Sequence, residues 1–205
     1  MSIVKLNNRG VKNATAFGSA VTSLGSMTFI KKLTASSSST LSFVDGASSV
    51  VLDNTYKEYL FTFNNIHPSA QADFTFQGST NTGSSYGVTA TTTYFKTYHN
   101  EAGNSTALAY DTERDEAQST NFLKLNYAIT NDNDSSNSGF LRLFNPSSTT
   151  FAKHFIADNQ GEVNTNSLRS FVAGYFNTTS AIDGVQFKMS SGNIDAGDIC
   201  LYGIA

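Results

Sequence analysis

The stretch 140-FLRLFNPSSTTFAKHFIA-157 indicates the fold of the whole chain. Aromatic and aliphatic residues recur with a period of about two on both sides of its centre, which is the pattern of half-buried β-strands. Between these two runs, Asn145-Pro146 begins a segment of turn-forming residues, and proline fixes φ as a type I turn requires. We therefore predict that residues 140–157 form a β-hairpin.

The same alternation recurs along the chain and indicates many short strands. In Val185–Ser190 the odd-numbered residues are apolar and the even-numbered ones are polar. The segment SGNIDAG separates this run from Asp198–Ile204, so we predict that the two runs pair with each other. Both faces of Asp198–Ile204 are mainly apolar, which predicts a strand covered on both sides and a buried Cys200. Further strands are predicted at residues 41–43, 50–52, 59–63, 74–76, 94–98 and 171–176.

Strands at this density, separated by serine, asparagine and glycine, are typical of an all-β fold. A length of 205 residues is ordinary for one β-sandwich, and 39% apolar residues can fill its core. We predict an antiparallel β-sandwich, jelly-roll-like, that spans residues 41–205 as a single domain. Residues 99–138 break the alternation and are predicted to be a surface excursion.

Residues 1–40 are less strand-like, end in a serine-rich stretch and are predicted to form an extended N-terminal arm. The arm contains apolar residues that need a surface to bury them. The residues expected at such an assembly interface are Ile3, Val4, Leu6, Val11 and Phe17. Two interpretations stay open, since the arm can pack on its own sandwich or lie on a neighbouring subunit.

The composition argues against several classes of protein. The net charge is −3 and no run of lysine or arginine is longer than Lys31-Lys32, so the basic stripe of a nucleic-acid-binding protein is missing. No apolar stretch is long enough for membrane insertion, and the N-terminus lacks the apolar core of a secretion signal. The single cysteine cannot form an internal disulfide. We therefore expect a protein that is made in a cytoplasm and kept there unless cell lysis releases it.

The candidate catalytic and metal-binding residues do not form a recognised motif. Five acidic residues lie between Glu101 and Glu116, in a pattern that favours a solvated loop over the paired carboxylates of a glycosidase. The oxygen-rich segment 130–139 lacks the glycine and glutamate positions of an EF-hand loop. His67, His99 and His154 lack zinc-ligand spacing. The sequence thus predicts no enzyme, no metal and no cofactor.

Tyr94 and Tyr98 would share one face of the predicted strand 94–98. If this face is exposed, the two rings can stack on the sugar rings of a surface glycan, as aromatic platforms stack on other flat ligands. In the alternative interpretation, one face of the strand lies in the core and the other forms a wet surface or a subunit interface. Both interpretations stay open on the sequence alone.

Five blocks of the sequence, taken together, resemble a known protein family. They include LNNRGVKNATAFGS near the N-terminus, FNPSSTTF followed by KHF, and AGYFNTTSAI followed by SSGNIDAG and LYGI. In combination they resemble small virion structural proteins encoded by marine tailed phages, including phages of cyanobacteria and related hosts. The resemblance extends from Ile3 to Ile204, and the matching blocks are strands and turns rather than catalytic motifs.

The resemblance implies a non-enzymatic virion component that is assembled in the host cytoplasm and contacts other virion proteins. We expect a capsid-surface decoration or head-fibre protein that binds the capsid lattice as a homo-oligomer, with a trimer as the expected state. The arm would carry the attachment. The alternative is a tail or fibre module that recognises a host surface glycan.

Overall fold

Residues 26–205, which the computed structural model describes, form twelve β-strands and no helix. Every strand pair is antiparallel, and the strands form one eight-stranded and one four-stranded sheet that pack face to face. This arrangement confirms the predicted all-β antiparallel β-sandwich, while the jelly-roll part of that prediction is not confirmed. In chain order the strands are β1 (Met27–Thr34), β2 (Leu41–Val44), β3 (Glu58–Pro68), β4 (Phe74–Ser79), β5 (Ala90–Asn100), β6 (Thr106–Tyr110), β7 (Leu123–Lys124), β8 (Asn137–Phe144), β9 (Lys153–Val163), β10 (Asn166–Phe176), β11 (Gly184–Met189) and β12 (Ile194–Ile204).

The two sheets differ in width. The larger sheet has the strand order β1-β12-β3-β8-β9-β10-β5-β6, and the smaller has the order β2-β11-β4-β7. The strands β8, β9 and β10 follow one another in both sequence and space, so short hairpins set much of the register of the larger sheet. Because four strands cannot cover eight, part of the inner face of the larger sheet lies outside the sandwich.

The core between the sheets is built from phenylalanine rings. Phe187 of β11 lies near its centre and packs against Phe61 and Phe63 of β3, with ring centres 5.3 Å apart in both pairs. Phe74 of β4 stacks on the same ring at 5.7 Å, and Phe43 of β2 meets it edge-on at 6.2 Å. Such pairs contribute about 0.5–1.5 kcal/mol each beyond the burial of their area. The cluster therefore joins the sheets without tryptophan or a disulfide.

The predicted hairpin at residues 140–157 is confirmed. Strands β8 and β9 pair with Leu143 opposite Phe155. In the connection, the amide of Ser148 donates a hydrogen bond of 3.1 Å to the carbonyl of Asn145, which closes the turn that Pro146 initiates. Asn145 itself has φ +46°, a left-handed conformation that asparagine adopts more readily than most residues.

The predicted pairing of Val185–Ser190 with Asp198–Ile204 is wrong. Strand β11 pairs with β2 and β4 in the smaller sheet, whereas β12 pairs with β1 and β3 in the larger one. The segment between them crosses from one sheet to the other through Gly192, which has φ +70°, and Gly197 near the start of β12 has φ +113°. Glycine adopts such values without steric cost, and alternation along a strand does not specify which sheet the strand joins.

Strand β12 is covered by the core on its inner face only, so the prediction of cover on both faces is wrong in part. Leu201 is fully buried, whereas Tyr202 is half-buried and contacts Phe29 on the outer surface. Cys200 is buried as predicted. The predicted strand at residues 50–52 is also absent, because the Asp45 carboxylate accepts a hydrogen bond of 2.8 Å from the amide of Leu52 and holds this segment as a loop.

The C-terminal end of the predicted arm at residues 1–40 is a strand of the sandwich and not an extended arm. Met27–Thr34 form β1, which pairs along its length with β12, and Ile30 and Leu33 pack against the core. The described part of the predicted arm therefore belongs to the sandwich, because β1 pairs with β12 and its Ile30 and Leu33 side chains pack on their own domain. The proposed interface residues Ile3, Val4, Leu6, Val11 and Phe17 lie outside the described residues.

The segment 99–138 is more than a surface excursion. It contains β6 and β7 and supplies Leu123, Leu125 and Ile129 to the core. Its apolar residues are spaced irregularly because most of the segment consists of loops, so neither a period of two nor a period of 3.6 is visible. This segment also provides most of the charged residues next to the groove described below.

Candidate functional site

A groove lies on the inner face of the larger sheet where that sheet extends beyond the smaller one. Its floor is formed by β5, β6 and β10, with Lys96 opposite Ala109 and Tyr98 opposite Ala107 in the register. The groove has a volume of about 620 Å³. This volume is within the range of roughly 300–1,000 Å³ that is usual for small-molecule sites. The lining residues are Lys96, Tyr98, Asn100, Ser105, Ala107, Ala109, Tyr127, Val163, Asn164, Asn166 and Leu168.

The alternation of β5 brings progressively more polar side chains into this groove. Tyr94 is buried in the core, and the next residues on the same face are Lys96, Tyr98 and Asn100, all partly exposed. The change follows the geometry, because the face that is covered by the smaller sheet must be apolar and the face beyond it contacts water. The same strand thus supplies both core and groove.

Two cations and one aromatic ring close the inner end of the groove. The ammonium nitrogen of Lys96 lies 3.9 Å from the centre of the Tyr127 ring, and the guanidinium carbon of Arg114 lies 3.8 Å from it. Asp111 joins them, because its Oδ2 accepts hydrogen bonds from Lys96 Nζ at 2.7 Å and Arg114 Nη1 at 3.3 Å. This cluster of Lys96, Asp111, Arg114 and Tyr127 fixes the Lys96 side chain in place, and Asp111 neutralises the charge of its ammonium group.

Two of the carboxylates that contact Arg114, those of Asp73 and Asp111, have opposite pKa shifts. Asp73 Oδ1 lies 3.5 Å from Arg114 Nε, and burial raises the pKa of Asp73 although Arg114 and Lys124 oppose the shift. Burial also disfavours the charged form of Asp111. Its pKa is nevertheless lowered, because the Lys96 hydrogen bond, the Glu113 amide and the Arg114 charge together outweigh burial. Asp111 is therefore the carboxylate that holds the cluster together in its ionised form.

A tight turn forms the opposite rim of the groove. Asn164 and Thr165 connect β9 to β10 and have φ values of +49° and +63°. A type I′ turn, which is common in two-residue hairpin loops, requires a positive φ at both of these positions. The side-chain nitrogen of Asn166 donates to the carbonyls of Val163 at 2.8 Å and Asn164 at 2.9 Å. The carbonyl of Thr165 accepts a 2.9 Å hydrogen bond from the amide of Glu101. The rim is thus tied to the β5–β6 connection.

The structure separates the two tyrosines that the sequence suggested for glycan contact. Tyr94 is fully buried, and its hydroxyl lies 2.6 Å from Ser170 Oγ inside the sandwich, so the proposed glycan contact at Tyr94 is wrong. Tyr98 lines the groove and its hydroxyl lies 3.5 Å from Ser105 Oγ, a long contact. The face of β5 that carries both tyrosines lies in the core at Tyr94 and in the groove at Tyr98, which the sequence did not indicate.

The other sequence candidates are dispersed. His67 contacts the carbonyl of Ser135 at 2.7 Å, whereas His99 and His154 are exposed at other places on the larger sheet. Within residues 26–205, no group of three His, Cys, Asp or Glu is arranged to hold a metal ion. In the same part of the chain, no helix is long and apolar enough to cross a membrane.

The acidic residues of the segment Glu101–Glu116 have different surroundings. Asp111 belongs to the buried cluster, and Asp115 accepts a 2.7 Å hydrogen bond from the hydroxyl of Tyr110 on the outer side of the sheet. Glu101 lines a second cavity of about 490 Å³ with Asp132, Asp134 and Glu162. This acidic cavity shares Asn164 with the groove.

Sequence reasoning missed Asp73, Arg114 and Tyr127. These residues lie in loops, and only the folded chain brings them to one place. The spacing of residues in the sequence carried no signal for the cluster. An available hint was Lys96, a charged residue on the face of a strand that otherwise begins in the core.

Comparisons with known proteins add little to this description. No family model matches the chain, and no curated protein matches it. A crystal structure of a structural-genomics protein of unknown function from Bacteroides ovatus is similar over 49% of this chain and 45% of that one, with 8% sequence identity and a TM-score of 0.27. The matched region therefore spans less than half the length of that protein, and the similarity is too low to indicate a function.

Proposed function

We propose that this protein is a non-enzymatic structural component of a phage particle, a capsid-surface decoration or head-fibre protein that binds the capsid lattice. The observation that carries the proposal is the outer face of the larger sheet, which is eight strands wide and bears exposed aromatic and aliphatic side chains. The sequence resemblance to virion structural proteins supports the same role.

Side chains on this outer face align in rows that cross the strands. One row runs through all eight strands in continuous register. It consists of Lys32, Cys200, Thr62, Phe140, Asp158, Phe171, Phe95 and Tyr110. A neighbouring row brings Phe29, Tyr202, Leu60, Arg142 and Ile156 together in the same way. Such rows offer a partner a broad surface with regularly spaced side chains.

The outer face combines exposed apolar groups with satisfied charges. Phe29, Tyr110 and Ile156 are 57%, 52% and 49% exposed. Arg169 makes two hydrogen bonds to Asp158, at 2.8 and 2.5 Å. Aromatic residues and arginine are enriched at protein interfaces, whereas large exposed apolar patches are uncommon on surfaces that face only water. This composition suits a surface that a protein partner covers.

Part of the face is rigid before any partner binds. The rings of Phe95 and Phe171 stack with their centres 4.8 Å apart and their planes 15° apart, and the Arg169 guanidinium lies 4.6 Å from the Phe171 ring. Side chains held in this way lose little freedom on association. A modest area per copy then suffices, because many copies on one lattice bind with avidity.

The partners in this proposal are other virion proteins and further copies of the same chain, in a particle assembled in the host cytoplasm. A homotrimer is the proposed state, which is one of the closed rotational symmetries that homo-oligomers adopt. In the trimer each copy would present the same sheet face to the capsid.

The experiment that tests the proposal measures binding of the purified protein to particles that lack it. The variant Ile156→Asp places a charge in the centre of the outer face, and Phe151→Asp places one on a connection between β8 and β9, at a residue that is 69% exposed. We expect wild type and Phe151→Asp to sediment with particles and Ile156→Asp to lose roughly tenfold in affinity. Absence of wild-type binding, or equal binding by Ile156→Asp with its fold intact, would refute the capsid role.

A second candidate function is the tail or fibre module that recognises a host glycan, and the groove beside Tyr98 favours it. The two candidates differ in copy number and position. Labelled protein distributed over the capsid surface supports decoration, whereas label confined to the tail supports the module.

A further inference from the structure

We propose that the groove beside Tyr98 binds a neutral sugar unit of a glycan. This inference rests on the second candidate function and deepens it by naming the class of ligand that the groove would take. Four features carry it, namely an apolar floor beside an aromatic ring, unpartnered hydrogen-bonding groups on the rim, an acidic neighbourhood, and a rigid frame.

The floor of the groove is apolar because its residues are small. Ala107 and Ala109 lie opposite Tyr98 and Lys96, at positions where strands usually carry larger branched side chains. Leu168 of β10 is buried beside them. The methyl groups leave depth beside the Tyr98 ring. A pyranose ring has one face of C–H groups, which can lie on such a floor and against the ring.

The rim offers hydrogen-bonding groups that have no partner among the described residues. The side-chain nitrogen of Asn166 is used by two carbonyls, whereas its Oδ1 has no donor. The side chain of Asn164 makes no hydrogen bond in the described part of the chain and is exposed. The hydroxyls of Tyr98 and Ser105 share one long contact of 3.5 Å. Amides and hydroxyls both donate and accept, which matches the hydroxyl groups of a sugar.

The charges around the groove select against an anionic ligand. Lys96 and Arg114 are the cations at the inner end, and both are already engaged by Asp111 and the Tyr127 ring. Next to the rim, the cavity that shares Asn164 is lined by four carboxylic side chains. They belong to Glu101, Asp132, Asp134 and Glu162. Their field repels sulfated or sialylated sugars, so the geometry favours a neutral unit.

The frame of the groove is fixed before a ligand arrives. Strand β5 is paired on both sides, by β10 and β6, and the Asn100 carboxamide closes the β5–β6 connection by accepting hydrogen bonds from the amides of Asn104 and Ser105, at 3.1 and 2.9 Å. The two-residue turn at Asn164 and Thr165 is tied to Glu101. Weak contacts to a sugar give a measurable affinity only when the protein groups lose little conformational freedom on binding.

The test is a direct binding measurement with the whole 205-residue chain. The probes are tetrasaccharides of glucose, galactose, mannose and N-acetylglucosamine, with sialylated and sulfated tetrasaccharides as charged comparators. Saturation-transfer NMR detects binding, and titration calorimetry gives the affinity. Two variants address the site, Tyr98→Ala, which removes the ring, and Ala107→Phe, which fills the floor. Tyr110→Ala is the matched control, since Tyr110 belongs to the same hairpin but lies on the outer face and is 52% exposed.

We expect at least one neutral tetrasaccharide to bind wild type and Tyr110→Ala equally, and both site variants to lose roughly tenfold or more. Ala107→Phe keeps the test decisive if Tyr98→Ala does not fold, because Ala107 lies on an edge strand. The proposal is overturned if no neutral tetrasaccharide binds wild type, if both site variants bind as wild type does, or if the charged comparators bind more tightly. Particle binding by Ala107→Phe is expected to stay unchanged, which separates this site from the capsid role.

Discussion

Lys96 Nζ lies 2.7 Å from Asp111 Oδ2, and the two side chains are only 19% and 7% exposed. This pair differs from the ion pair of Lys32 and Asp198, whose side chains are 50% and 33% exposed. Solvent weakens the exposed pair, whereas the Lys96 pair acts at a lower effective dielectric constant and is anchored by the Tyr127 ring. The cluster therefore ties the loop after β6 to the floor of the groove.

We expect Asp111→Asn to lower the free energy of unfolding by about 1–3 kcal/mol near neutral pH. The substitution keeps the shape of the side chain but removes the charge that Lys96 and Arg114 share. Asp132→Asn is the control, because Asp132 is exposed and belongs to no ion pair among residues 26–205. Urea unfolding of both variants measures the difference. Equal stability of Asp111→Asn and wild type would show that the cluster does not stabilise the fold.

The same pair predicts a pH dependence. The pKa of Asp111 is lowered below its ordinary value of 3.8, so its stabilising contribution is complete above pH 3.8 and is lost as pH falls through the folded-state pKa. Asp73 has the opposite sign, because its raised pKa means that stability is lost as pH rises from 3.8 through its folded-state pKa. The stability difference between wild type and Asp111→Asn should therefore be largest near neutral pH and shrink below pH 3.8. Thermal melts across this range test the convergence.

Tyr94 and Ser170 form a buried hydrogen bond whose loss can be measured. Tyr94→Phe leaves the fully buried Ser170 hydroxyl without its tyrosine partner, which should cost roughly 1–2 kcal/mol of stability. Adding Ser170→Ala should recover part of this loss, because removing both polar groups avoids an unsatisfied hydroxyl. Tyr98→Phe should change stability little, because the Tyr98 hydroxyl lies at the open groove. If Tyr94→Phe is as stable as wild type, the hydrogen bond between Tyr94 and Ser170 does not stabilise the fold.

Local alternation predicted most of the strands, although it missed β1, β6 and β7 and added one at residues 50–52, and it did not predict which strands are neighbours. The hairpin of β8 and β9 was predictable because its turn lies within the same stretch as both strands, with Asn145 and Pro146 at the connection. The pairing of β12 was not predictable, since its partners β1 and β3 are far away in the sequence and alternation is the same in either sheet. Turn chemistry acts locally, whereas sheet membership is decided by the whole core.

The site was less predictable than the fold. Alternation correctly placed Tyr94 and Tyr98 on one face, but it could not show where the smaller sheet ends along that face. Whether a position is core or groove depends on the strand opposite to it, and here the edge of the smaller sheet lies near Tyr127. The residues Asp73, Arg114 and Tyr127 come from loops, for which no periodic signal exists.

Adjacent residues of β12 should respond differently to the same substitution. Leu201 is fully buried on the inner face, so Leu201→Asp buries an unpaired carboxylate and should abolish folding. Tyr202 points to the outer face, where its ring meets Phe29 at 5.6 Å, and Tyr202→Asp should leave a folded protein of lower stability. Soluble expression and circular dichroism distinguish the two variants. If both fail to fold, the outer face of β12 is covered in the folded chain.

Gly203 is held as glycine by the ring of Tyr56. A Cβ atom at residue 203 would collide with this ring, which packs across β12 and meets Tyr59 edge-on at 5.8 Å. Gly203→Ala should therefore cost about 1–3 kcal/mol, since the ring must move from its packed position. The backbone conformation does not require glycine at this position, because φ of Gly203 is not positive.

A double-mutant cycle separates this collision from an intrinsic need for glycine. In a Tyr56→Ala background, Gly203→Ala should be neutral or stabilise by up to about 1 kcal/mol, because alanine restricts the unfolded chain more than glycine does. The coupling energy between the two positions should then exceed roughly 1 kcal/mol, measured from urea unfolding of the four proteins. A cost of Gly203→Ala that is the same in both backgrounds would mean that the backbone, and not the Tyr56 ring, selects glycine in β12.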